Sequence, residues 1–151
     1  MCLRIRTKTK TLSSAIASHK RVAKTDIIVY KRLRNYPVKW ANQYGSGVIV
    51  KSPYMNFSYS LNTLYSNEGI LTERFGFSFI LIPLLHPCNY LYVSKGLHAY
   101  RSIKGAKRAI MSGTTYIMKC IIPKGSTYYF GDDDDEVCSD RLIITDESNH
   151  K

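Results

Sequence analysis

Acidic residues are nearly absent from the first third of this chain. Residues 1–51 hold a single one, Asp26, against 12 Lys and Arg. That segment carries a net +11, the formal charge of the whole 151-residue protein. Residues 52–151 hold ten basic and ten acidic residues and sum to zero. A charge asymmetry of this kind points to a polyanionic partner, nucleic acid or an anionic membrane surface, with a solubilising basic face as the simplest alternative.

Other shortages narrow the field. The longest strongly apolar run, Phe75 to Leu85, is about half of the ~20 residues that a membrane span needs, so a soluble protein without a membrane partner is expected. The start, Met1-Cys2-Leu3-Arg4-Ile5-Arg6, has no apolar h-region, so secretion by its own signal is not expected. The four cysteines, Cys2, Cys88, Cys120 and Cys138, form no CxxC pair, which leaves a disulfide framework without support. His86 and Cys88 offer two metal ligands where zinc needs about four. GxSxG, P-loop and GxGxxG motifs are all missing, so hydrolase, NTPase and Rossmann readings lose their usual basis. No cofactor is expected.

What is present reads as one domain with an apolar content of 44%, enough for a core. Residues 1–24 form a basic, Ser/Thr-rich N-terminal arm, 25–145 a single domain and 146–151 a polar tail. Strands are expected at Ile27–Tyr30, Val48–Val50, Asn56–Tyr59, Phe75–Leu81, Tyr90–Val93, Leu97–Tyr100, Thr115–Ile122, Ser126–Phe130 and Leu142–Ile144, from β-branched runs and period-two alternation. Asn35–Asn42 and Asn62–Gly69 read as loops, and Gly45-Ser46-Gly47 as a turn. One helix is marked, with Ser102 as N-cap, Ile103, Ala106, Ala109 and Ile110 on one face, and Gly113 as its stop. Ile122-Pro123-Lys124-Gly125 fits a type I turn. The resulting class is α+β: mostly antiparallel strands, as a small twisted sheet or sandwich, with one or two short helices and the basic arm.

Three constellations carry candidate chemistry. The first is a polyanion-binding set: Arg4, Arg6, Lys8, Lys10, Lys20, Arg21 and Lys24 in the arm, then Lys31, Arg32, Arg34 and Lys39, where basic and aromatic residues interleave from Val29 to Trp40. Rings that stack on bases beside cations that follow phosphates suit single-stranded nucleic acid. The second is the acidic run 132–136, whose Asp132, Asp134 and Glu136 alternate as oxygen ligands would, although EF-hand spacing is lacking. A solvated loop is the simpler reading, and docking onto the basic arm of this or another copy is a further one. The third is His98, flanked by Leu97 and Ala99 in a strand pattern and expected as a structural histidine.

Several segments together carry a resemblance. They are Met1-Cys2-Leu3, the stretch Asp26 to Leu33, Ser52-Pro53-Tyr54 with Phe57 and Tyr59, Lys95 to Tyr100, Lys119 to Ser126 and Cys138 to Ile144. In this order they resemble a group of small uncharacterised proteins of tailed phages of gut bacteria and related prophages. The resemblance implies a non-enzymatic binding or structural protein, with a minor virion component as one case, working in the virion or the host cytoplasm. Its implied partners are other phage or virion proteins, or nucleic acid reached through the arm, with a homo-oligomer left open. An accessory inhibitor of a host defence protein fits the same context. The Tyr-basic first strand and the late strand, Ile-Pro-Lys-Gly turn and closing strand are similar to the ADP-ribosyltransferase-like fold. Under that resemblance, degenerate or active, the catalytic candidates are Arg32, His98, Tyr100 and Glu136, and no Ser-Thr-Ser strand accompanies them.

Overall fold

The computed structural model describes residues 3–35, 49–51, 58–66, 73–78, 88–108, 115–132 and 135–149. In chain order the elements are β1 (Leu3–Thr7), α1 (Leu12–His19), β2 (Arg21–Val22), β3 (Ile27–Asn35), β4 (Ile49–Lys51), β5 (Ser58–Ser60), β6 (Leu64–Ser66), β7 (Glu73–Ser78), β8 (Cys88–Val93), β9 (Leu97–Tyr100), α2 (Ile103–Arg108), β10 (Thr115–Ile122), β11 (Thr127–Phe130), β12 (Glu136–Ser139) and β13 (Arg141–Asn149). Among the described residues the chain is α+β, mostly antiparallel strand with two short helices.

Two sheets result. The smaller has the order β1-β8-β7; the larger runs β2-β11-β12-β9-β3-β10-β13-β6, with β4 paired to β3 and β5 paired to β4. The larger sheet divides into two wings, because β9 and β3 meet only at Tyr30 opposite Tyr100. Chain continuity forces those wings together. Ser139 closes β12 and Arg141 opens β13, with Asp140 alone between them. Two Cα–Cα steps reach at most about 7.6 Å. In a flat sheet the four strand steps from β12 to β13 would span roughly 19 Å. The sheet therefore folds over on itself.

The side chains show what the folding encloses. Along β3, Val29, Lys31 and Leu33 are buried, while Ile28, Tyr30 and Arg32 are more exposed, the period of two that a strand imposes. The inner face collects Val29, Leu33, Met118, Cys120, Ile122, Leu142 and Ile144 from one wing and Leu97, Ala99 and Val137 from the other. On the outer face, Leu3, Ile5, Ala15, Leu91 and Val93 of the small sheet and α1 pack on Tyr129 and Cys138. Each large aliphatic side chain so buried contributes about 1.5–3 kcal/mol. Helix α2 covers Tyr100 and Ile117 with Ala106. Gly131 permits the close approach of β1, since a Cβ there would stand 2.7 Å from Leu3 Cδ1.

Strands β9 and β10 have the expected limits, and Ser102 caps α2 by accepting from the Gly105 N–H at 3.0 Å. The segment read as an arm contributes β1, α1 and β2. Alternation in β1 buries Leu3, Ile5 and Thr7 and exposes Arg4 and Arg6, and Thr11 caps α1 by accepting from the Ser14 N–H at 3.3 Å. Leu64–Ser66, read as loop, is a strand because it pairs with β13. The polar tail from Asp146 is continuous with β13 as far as Asn149, where Ser148 and Asn149 pair with Met118 and Ile117. The turn is shifted by one residue: Ser126 N–H bonds Pro123 C=O at 3.1 Å and Gly125 takes φ +84°, the third-position glycine of a type II turn. The Gly45–Gly47 turn, the stop at Gly113 and the Pro37 loop lie outside the described residues.

Candidate polyanion-binding site

Strand β2 is two residues long, and both Arg21 and Val22 are exposed. It forms the edge of the larger sheet, with Arg21 opposite Tyr128 and Val22 opposite Thr127. The corner that follows is clasped to the Pro123–Ser126 turn. Ala23 N–H bonds Ser126 C=O at 2.9 Å, Gly125 N–H bonds Ala23 C=O at 2.8 Å, and Lys124 N–H bonds Asp26 Oδ1 at 2.8 Å. With Ala23 buried as the pivot, Lys24 and Thr25 turn outward.

The corner lines a shallow open groove of about 500 Å³, formed by Arg21, Val22, Lys24, Thr25, Ile27 and Tyr128. Its aromatic wall continues along β11. Tyr128 meets Phe130 edge-on, with ring centroids 5.1 Å apart. The Arg21 guanidinium carbon is 5.4 Å from the Phe130 centroid, and that of Arg101 is 4.5 Å from it. Such contacts hold the guanidinium planes in place at about 0.5–1 kcal/mol each when exposed. Arg101 also pairs with Asp135 at 3.4 Å, and Ser102 Oγ donates to Asp135 Oδ2 at 2.6 Å. Both partners of that pair are two-fifths exposed, so it adds little stability.

The predicted cations fall into three groups. Arg4, Arg6, Lys8, Lys10, Lys20, Arg21 and Lys24 are all exposed. Arg4 lies over the Tyr90 ring at 5.0 Å. Arg32 is half-buried and committed, its Nε donating to Thr115 Oγ1 at 2.9 Å and its terminal nitrogen to Lys107 C=O at 3.2 Å. Lys31 is a correction: it faces the inner core, 8% exposed, and its Nζ donates to the His98 carbonyl. The side chain of Arg34 and all of Lys39 lie outside what is described.

The acidic run is also divided. Asp132 turns back onto β1: its N–H bonds Arg4 C=O at 3.2 Å, and its carboxylate accepts from the Arg6 N–H. Asp135 takes φ +58° and anchors Arg101. Glu136, read as loop, opens β12 opposite Tyr100. Asp134 lies outside the described residues, and among those described no group of three His, Cys, Asp or Glu residues could hold a metal ion.

The transferase-type candidates are partly gathered. The β9–β12 register sets Glu136 opposite Tyr100 and Cys138 opposite His98. Tyr100 is buried under α2, however, and His98 is 8% exposed with Nε2 3.7 Å from Cys138 Sγ. Burial, and then the Lys31 charge, push His98 down to about 4. Burial also lowers Lys31, and raises the Cys120 thiol to about 12 although Lys31 opposes that shift. All of these groups are buried.

Sequence reasoning missed Val22, Tyr128 and Phe130, whereas Arg101 was read with Lys104, Lys107 and Arg108 as a basic helix that could extend the patch. Tyr128 and Phe130 share one face of a strand that was expected, but only the fold brings Arg21 and Arg101 to them. No described helix is long and apolar enough to cross a membrane. No family model, curated protein or solved structure matches the chain.

Proposed function

We propose that this is a non-enzymatic, phage-type binding protein whose exposed basic surface takes single-stranded nucleic acid, in the setting of a virion or its assembly. The observation that supports this most is the groove at β2. Arg21 and Lys24 flank Tyr128, and Phe130 continues the wall. Cations would follow phosphates there while the Tyr128 ring offers a stacking face. The exposed Arg4, Arg6, Lys8, Lys10 and Lys20 extend the field along β1 and α1.

Fluorescence anisotropy with labelled oligo-dT, titrated with salt, tests the reading. Log affinity should fall steeply with log salt, and the Arg21→Ala/Lys24→Ala variant should bind more weakly with a slope smaller by about one to two. A flat slope, or an unaltered variant, refutes it. Mass spectrometry of purified particles tests the virion setting.

A second reading, an ADP-ribosyltransferase-like enzyme, draws on the placement of Glu136 beside Tyr100. The burial of Tyr100 and His98 and the engagement of Arg32 weigh against it. Consumption of NAD on incubation with host lysate would revive it.

A further inference from the structure

In the aromatic wall beside the groove, the Phe130 ring is taken up by arginines. Arg21 is paired with Tyr128 across β2 and β11, and Phe130, two residues on, lies on the same face. Phe130 is paired with Val137 and Val137 with Ala99, so Arg101, two residues beyond Ala99, reaches that face as well. The guanidinium carbons of Arg21 and Arg101 stand 5.4 and 4.5 Å from the one ring centroid, which keeps them within about 10 Å of each other. Two cations eighty positions apart in the chain thus converge on a single ring.

The two differ in their counter-charge. Among the described residues no ion pair holds Arg21. Arg101 has Asp135, reached by one guanidinium nitrogen at 3.4 Å, which is long against the about 2.7–2.9 Å of a strong charge-assisted bond. The second carboxylate oxygen of Asp135 accepts from Ser102 Oγ at 2.6 Å, and its carbonyl accepts from the Arg101 N–H at 2.7 Å. The carboxylate is therefore anchored without the guanidinium, and the guanidinium is the partner that can leave. Both side chains are two-fifths exposed, so an anion in solution reaches the pair. A phosphodiester brings two charged oxygens to the planar guanidinium fork, where Asp135 brings one.

We propose that Arg21 and Arg101, ordered on Phe130, form a phosphate clamp beside the groove at β2, and that Asp135 occupies the Arg101 half until a nucleic-acid phosphate displaces it. This rests on the single-stranded nucleic-acid reading of the groove and adds a competitor built into the chain. Binding at the clamp is then an exchange of one anion for another.

Anisotropy titrations with labelled oligo-dT on four full-length proteins close a cycle: the wild type, Asp135→Asn, Arg101→Ala and the double variant. Asn tolerates φ +58° and keeps an acceptor for Ser102, so Asp135→Asn removes the charge alone. It should bind about two- to fivefold more tightly, the range set by an exposed ion pair. Arg101→Ala should bind at least about threefold more weakly, with a salt slope smaller by about one. Removing an acid anywhere raises affinity slightly through the overall field, so the double variant decides. In the Arg101→Ala background Asp135→Asn should change affinity less than about 1.5-fold, because the two residues act as a pair. Melting temperatures should stay within a few degrees of the wild type; if Asp135→Asn does not, Asp135→Gly, which also accepts a positive φ, replaces it. No gain from Asp135→Asn, wild-type binding by Arg101→Ala, or an undiminished gain in the double variant overturns the clamp. Any of these leaves the groove reading intact as long as Arg21→Ala/Lys24→Ala still weakens binding. A flat salt slope for the wild type overturns both.

Discussion

Acidification should expose the cost of the buried His98. The ring is held at about 4 by burial and by Lys31, against 6.5 for an ordinary histidine. The folded value is the lower one, so on acidification the unfolded chain takes up the proton first. Stability tied to His98 is present above 6.5 and is lost as the pH falls toward 4. Each unit of separation is worth about 1.4 kcal/mol, which puts the total near 3 kcal/mol. Carboxylates titrate over the same range, so the informative quantity is a difference. Urea unfolding of the wild type and of His98→Gln, at half-unit steps from pH 7.5 to 4, isolates the His98 share. The gap between the two free energies should move by about 3 kcal/mol across that range, against the wild type in acid. Parallel curves would mean that His98 is solvated and that the core around Cys138 is open to water.

Two further outcomes follow from the same geometry. Lys31 is lowered by burial, so relative to Lys31→Met the wild type should gain stability as pH rises from the lowered value toward 10.5, by up to about 1.4 kcal/mol per unit; urea titrations above pH 8 read this slope. Gly125→Ala should cost about 1–2 kcal/mol in thermal unfolding, because φ is +84° and a Cβ would sit 3.1 Å from the Arg141 guanidinium.

Much of the strand plan could be read from residue order. Thr115 to Ile122 and Leu97 to Tyr100 are β-rich runs bounded by turn signals, and local pattern was enough to place them. Leu3–Thr7 was not readable, because two aliphatic residues among arginines are too few to establish alternation. Its status as a strand comes from β8, more than eighty residues away in the chain. Glu136–Ser139 was hidden by the acids before it and is a strand through pairing with β9 and β11. Lys31 was the readable case that composition obscured. Treated as one of a cluster of cations it belongs to a surface, but its parity with Val29 and Leu33 places it in the core. The groove was legible only in Arg21 and Lys24, since the residues that complete it are far apart in the chain.

The pairing of β1 with β8 also sets a timetable for the newborn chain. Leu3 has Val93 as its partner, and β3 has β9 and β10. At about 5–20 residues per second, on the order of ten seconds separate synthesis of the first strand from that of its neighbour. For that interval Leu3 and Ile5 remain uncovered beside the most cationic stretch of the chain. Contacts this distant in sequence also place the protein among slow folders. Its vulnerable period is therefore the wait before β8 and β10 emerge, and conditions that shield the N-terminal strand during translation should govern its yield.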